Sequence, residues 1–335
     1  MRKPNFENLL AVLRCEAPER PTLFEFFTND TIRRQVCGDD IPDGDDPLYH
    51  EKAQIRSYEK SGYDYATLTI PGFKFERGEQ HRAASVSQNE GVVITDQATF
   101  DLYKWPDPKN IQYDRLDTIQ KLLPDGMKMV LHSPGGTLEN TIHLVGYENV
   151  CLLSLTDPDF LQEVFDTVGG LLLKYYEGAV EHPAIGAVIV NDDWGFHQQT
   201  VLPPEGMRRF VFPWHKRIVQ TIHDAGKPAI LHSCGNLDKV YDDLIDDIGF
   251  DGKHSYEDAI QPVEEAYEQY HDRIAILGGI DVDFLCRADL ETIKKRSREM
   301  LERTADRGGY ALGSGNSIPE YVPPEAYFAM ISVIN

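Results

Sequence analysis

Along most of the chain, short apolar runs alternate with longer stretches whose apolar positions recur at helical spacing, the pattern of a parallel α/β fold. Eight runs read as strands: PTLFEFF (21–27), DYATLTI (64–70), MKMVLHS (127–133), IGAVIVN (185–191), KPAILHS (227–233), FDGKHSY (250–256), RIAILGG (273–279) and GYALGSG (309–315). Eight is the number that closes a βα barrel. The alternative, an open doubly wound sheet, normally carries a Gly-rich turn after its first strand. No GxGxxG follows PTLFEFF.

The intervening segments carry helix punctuation. Asp157 can cap a helix opened by Pro158, although Gly169 and Gly170 weaken its middle. A second helix begins at the prolines of LPPEG and stops at Gly226, and a third runs from Asp289 to Gly308. Residues 71–126, between the second and third strands, exceed what one crossover needs. Within them GVVITDQATFDLYKW (91–105) alternates like a β-hairpin. The expectation is a (β/α)8 TIM barrel in a single domain, 1–335. Its insert, about 71–126, would carry a β-hairpin arm that covers the mouth or meets the partner subunit of a homodimer.

Composition narrows the class. A 335-residue chain with 41% hydrophobic residues can bury a sizeable core. No stretch approaches the roughly 20 apolar residues of a membrane helix. The apolar patch near the N-terminus is broken by Arg14, Glu16 and Glu19, unlike a secretory signal, so a cytoplasmic location is expected. The five cysteines, at 15, 37, 151, 234 and 286, show no paired spacing and predict no disulfide framework. The net charge of -22 repels nucleic acid and anionic membranes, which leaves a small-molecule substrate as the expected partner.

Barrel enzymes assemble their sites at the C-terminal strand ends. Those ends here deliver His132, then Asn191, Asp192, Asp193 and Trp194, then His232 and Cys234, then His254 and Glu257, then Asp281 and Asp283, and finally Ser314 and Asn316. His232 and Cys234 flank Ser233, so strand alternation sets both on one side, where imidazole and thiolate suit zinc. Against this stands a barrel-lining His beside an inert buried Cys. Asp192 and Asp193 point to opposite faces if the strand persists, so one of them enters the site as a general base or ligand, or one is a helix cap. His254 and Glu257 can complete a metal site or act as an acid/base pair. His132 precedes a proline and two glycines, where backbone can approach a substrate closely. Asn191, Trp194, Asp281, Ser314 and Asn316 complete the candidate substrate-binding rim. His81, His182, His197, His215, His223 and His271 read as ordinary helix or loop residues.

The segment VIVNDDWGFHQQTVLPPEGMRRFVFPWHKRIVQTIHDAGKPAILHSCGN resembles the uroporphyrinogen decarboxylase superfamily. So do IGFDGKHS, DRIAILGGID and GGYALGSGNSIPEYVPPEAY, from roughly residue 130 to the C-terminus, with a weaker likeness at ERPTLFEFF. The resemblance implies a barrel and two activities. One is decarboxylation of uroporphyrinogen; the other is methyl transfer between a corrinoid protein and a thiol or methyl donor, often with zinc. In the decarboxylases two arginines near the first strand grip substrate carboxylates, whereas Glu25 and Asn29 stand there in LFEFFTNDTIRR. The zinc methyltransferases match at His232 and Cys234, but their third ligand, a cysteine near the C-terminus, falls on Ser314. Either Glu257, His254, Asp192 or Asp193 then completes the set with a different geometry, or the metal is absent. The resemblance therefore points to the corrinoid-linked methyltransferase branch, with zinc at His232 and Cys234 and a corrinoid protein as partner. Decarboxylation and a non-catalytic ligand-binding barrel are the alternatives.

Overall fold

A computed structural model describes residues 2–78 and 89–334. Seven parallel strands form one sheet in the order β1 to β7. They are β1 (Tyr65–Leu68), β2 (Lys128–His132), β3 (Ile185–Asn191), β4 (Ala229–His232), β5 (Gly252–His254), β6 (Ala275–Leu277) and β7 (Tyr310–Ala311). Each strand pairs with its successor in sequence. This order excludes the doubly wound alternative, in which the strand order reverses. The strands read as near-continuous apolar runs because both faces are covered, and β1, β4, β5, β6 and β7 are buried throughout.

The sheet curls so that its first and last strands flank the same segment, 21–27. That segment is not a full strand. Leu23 forms an isolated parallel bridge to Leu312, beside β7. On the β1 side, the Tyr65 phenol takes over the backbone of Glu25, accepting from its N–H and donating to its C=O, both at 2.7 Å. A side chain thus fills the place of an eighth ladder.

The hairpin expected at 91–105 is replaced by a short helix, Gln97–Leu102. The Asp96 carboxylate accepts from the Thr99 N–H at 2.9 Å, while the Thr99 hydroxyl accepts from the Asp96 N–H at 3.0 Å. This reciprocal cap starts a helix where alternation alone suggested a strand. The apolar positions Ile94 and Phe100 are buried by packing. Residues 79–88, including His81 and part of the insert, lie outside the described residues. Among the described residues, no helix is long and apolar enough to cross a membrane.

The helix Pro158–Glu177 is capped by Asp157 as its sequence suggests. Its weak Gly169 has a packing reason: an added Cβ would overlap the indole of Trp214, which lies on the helix Phe212–Asp224. Gly169→Ala is expected to lower stability by about 1–3 kcal/mol through overpacking. A reduced urea midpoint at unchanged slope is the check.

Candidate active site

Three adjacent strand ends bring the main polar side chains together. Asn191 of β3 is in register with His232 of β4, and His232 with His254 of β5. The residue parity at the end of β3 then separates the two aspartates.

Asp193 turns to the C-terminal mouth, where its Oδ1 accepts from the Cys234 N–H at 2.8 Å. Asp192 turns away and is fully buried. Its oxygens accept from the Leu138 and Glu139 N–H groups at 2.9 and 2.8 Å, stapling the N-terminus of the helix Thr137–Val145. The Trp194 indole donates to it at 3.3 Å, and the Nε2 of buried His215 stands 3.1 Å away. Asp192, Trp194 and His215 thus form an interior cluster that does not line the mouth.

Asp193, His232 and Cys234 converge, each offering one donor atom, and these atoms lie within 4.8 Å of one another. They line a cavity of about 670 Å³ together with Glu257, Asp281 and Asn316. Phe26, Phe27, Tyr256 and Tyr321 supply aromatic wall, and Asp283 and Cys286 lie further along it. Asp281 also caps the helix Val282–Arg287, accepting from the Phe284 N–H at 2.8 Å.

His254 and Ser314 sit behind this surface, fully buried. His254 Nδ1 is 2.8 Å from His232 Nδ1, and its Nε2 is 3.2 Å from the Ser314 carbonyl oxygen. His132 faces a neighbouring cavity of about 630 Å³ with Thr69, Arg33 and Arg115. Phe26 separates the two histidine sites, its ring 4.8 Å from that of His132 and 4.6 Å from that of His232. Asn191 is turned toward the loop of Ser133 and Gly135, to which its amide is matched when its oxygen and nitrogen are exchanged.

Burial sets the protonation of the cluster. Desolvation pulls His232 down to about 3 and His254 well below its ordinary value, so both rings are neutral at pH 7. Burial, reinforced by the Asp193 charge, pushes the Cys234 thiol up to about 12. Burial also raises Asp193. The Cys234 sulfur accepts from Asn316 Nδ2 at 3.2 Å and from the Ser255 hydroxyl at 3.6 Å.

The sequence reading missed two members of this neighbourhood. Lys253 is buried, donates to the Ser255 carbonyl and stands 4.2 Å over the Tyr256 ring. Burial draws it down to about 8 against the pull of Cys234, Glu257 and Asp193. A lysine inside the apolar-flanked run FDGKHSY was the available signal. Glu139 is the other: burial and the nearby Asp193 raise it to about 8.

The donor set fits a zinc-type ion. One thiolate, one imidazole and one carboxylate suit zinc, and the donors around one such ion stand roughly 3–4 Å apart at tetrahedral geometry. A cation would also compensate the negative charge at Asp193 and Cys234, which burial disfavours.

The family model for uroporphyrinogen decarboxylase (URO-D) matches residues 86–335. The chain belongs to this family. Curated uroporphyrinogen decarboxylases are similar at low identity: 22% over 192 residues for that of Streptomyces avermitilis, and 26% over 168 residues for that of Syntrophotalea carbinolica. These alignments cover 56% and 50% of this chain and 50% and 46% of the relatives, so the chain spans about half the length of the curated relatives it matches. Among solved structures, a methyltransferase from Methanosarcina mazei superposes with a TM-score of 0.72 at 18% identity, covering 98% of this chain and 97% of its own. A B12-independent methionine synthase from Shewanella sp. W3-18-1 gives 0.53 at 10% identity, covering 88% and 90%. At these identities the likeness shows a shared fold, and URO-D membership rests on the sequence match.

Proposed function

We propose that this URO-D family chain is a metal-assisted methyltransferase, moving a methyl group between a small methylated substrate or thiol and a corrinoid protein. The observation that carries this reading is the convergence of Asp193, His232 and Cys234 on one cavity wall. In this reading the chain is a cytoplasmic, single-domain (β/α)8 barrel, and its open mouth receives the corrinoid partner.

Asp193, His232 and Cys234 would hold zinc, which when bound supplies Lewis acidity that lowers the pKa of a coordinated thiol or polarises an ether oxygen. The chain's own residues do the rest. His232 donates as a neutral ring, and Asn316 and Ser255 hold the Cys234 sulfur by hydrogen bonds. Glu257, on the cavity wall, accepts the proton that an incoming thiol gives up. Phe26 stands between the two histidine sites, in ring contact with both His132 and His232.

The cavity's charge favours methyl transfer over decarboxylation of uroporphyrinogen or a related polycarboxylate. Asp193, Glu257, Asp281 and Asp283 line it, and among the described residues no lysine or arginine joins them. A polyanion would meet like charge there without the charge-assisted bonds it needs.

The test is zinc-loaded protein mixed with methylcobalamin and a thiol, followed by loss of the methylcobalamin absorbance. Catalysed demethylation that disappears in His232→Ala is expected. A protein that takes up no stoichiometric zinc under anaerobic, zinc-supplemented conditions, or that turns over uroporphyrinogen instead, would reject this reading.

A further inference from the structure

Glu25 and Ser314, the positions at which the chain departs from the motifs of both activities, meet each other in the interior. The Ser314 N–H donates to Glu25 Oε1 at 2.7 Å, and the Ser314 hydroxyl lies 2.8 Å from Oε2. Both residues are fully buried. The same hydroxyl also contacts the Asn316 carbonyl. One hydroxyl proton cannot serve two acceptors, so a neutral carboxyl at Glu25 supplies the second. The seat is built closely: Tyr65 holds the Glu25 backbone from the other side, and at Gly313 an added Cβ would overlap the Phe24 carbonyl.

Two hydrogen-bond paths lead from this turn to the triad. Asn316 Nδ2 donates to the Cys234 sulfur. The Ser314 carbonyl faces His254 Nε2, and His254 Nδ1 faces His232 Nδ1. A carbonyl oxygen only accepts, so His254 carries its proton on Nε2 and is bare at Nδ1 when neutral. The 2.8 Å contact between the rings then requires a proton on His232 Nδ1. His232 Nε2 is left with its lone pair free, as a metal ligand needs.

We propose that Glu25 is a positioning residue of the triad. Through Ser314 it holds one turn that fixes His232 in the Nδ1–H tautomer, by way of His254, and that holds the Cys234 sulfur by way of Asn316. Two departures that look like losses in the sequence thus form one matched support. The metal-binding half of this inference rests on the proposed function; the tautomer half does not.

The test uses the full chain labelled with 15N-histidine and free of metal. Long-range proton–nitrogen spectra should show His232 protonated at Nδ1 and His254 at Nε2. Glu25→Ala should lose the single tautomer and bind Co2+ roughly 10–100-fold more weakly, the size typical of a lost outer support, with a weakened thiolate-to-cobalt absorption. Glu25→Gln, which can accept from the Ser314 N–H and donate to its hydroxyl, should restore both. A folded Glu25→Ala protein with unchanged tautomers and Co2+ affinity would overturn the proposal. So would His232 protonated at Nε2 in the native chain, a result that needs no variant to fold. Expected tautomers in a chain that binds no Co2+ would overturn the metal reading while the tautomer assignment stands.

Discussion

Cys234→Ala is expected to weaken zinc binding on the order of a thousandfold while leaving the fold intact. Structural zinc sites bind with about 10–16 kcal/mol shared among their ligands, so loss of one thiolate removes a few kcal/mol. The native thiol is pushed up to about 12 by burial and by the Asp193 charge. Zinc must therefore displace at least one proton at pH 7, and its affinity should rise about tenfold per pH unit while the thiol is protonated. Titration calorimetry in two buffers of different ionisation enthalpy reads that proton directly. Equal proton release and equal affinity in the Cys234→Ala protein would mean that the thiol is not a ligand.

The second large effect is on stability, at Glu25. Burial raises its carboxyl from 4.5 to about 8. The folded state therefore holds this proton more tightly than the unfolded chain. Its stabilising contribution is complete below pH 4.5, declines as pH rises from 4.5 to about 8, and is flat above that. The full span is on the order of 4–5 kcal/mol for a shift of this size. Glu25→Gln keeps a neutral side chain at every pH. It should match the native protein near pH 5 and exceed it by several kcal/mol above pH 8, read by urea unfolding across pH. Glu139, raised to about 8 by the same cause, slopes both proteins alike, so the difference isolates Glu25. Parallel profiles for the two proteins would show that Glu25 is ionised in the fold.

Much of the framework was legible because it is local. β1 to β7 each lie within a run read from apolar content, and the Asp157 and Asp289 caps stand where the residue types place them. The run 21–27 makes only an isolated bridge to the β7 side, Leu23 to Leu312, because a full strand needs backbone partners as well as a pattern. Beside it the Tyr65 phenol takes the backbone bonds that a neighbouring strand would have made. The stretch 91–105 was misleading for a related reason: its alternation was real, but the Asp96–Thr99 cap started a helix there. Among the site residues, His215 looked ordinary because nothing in its own helix shows that Asp192 stands opposite. Lys253 was passed over because its burial depends on Tyr256 and on the acidic cavity wall beside it.

The two-residue period of a strand is a property of the chain alone. By itself the sequence therefore determined that His232 and Cys234 stand on one side and that Asp192 and Asp193 part. Only the tertiary structure decided that Asp193 shares the side of His232, since this depends on the register of β3 against β4. It also decided that Glu25 meets Ser314, 289 positions away, once the curled sheet brings its two edges to one segment. Contacts of that range leave no trace in the local pattern, because closure of the sheet, not spacing along the chain, creates them.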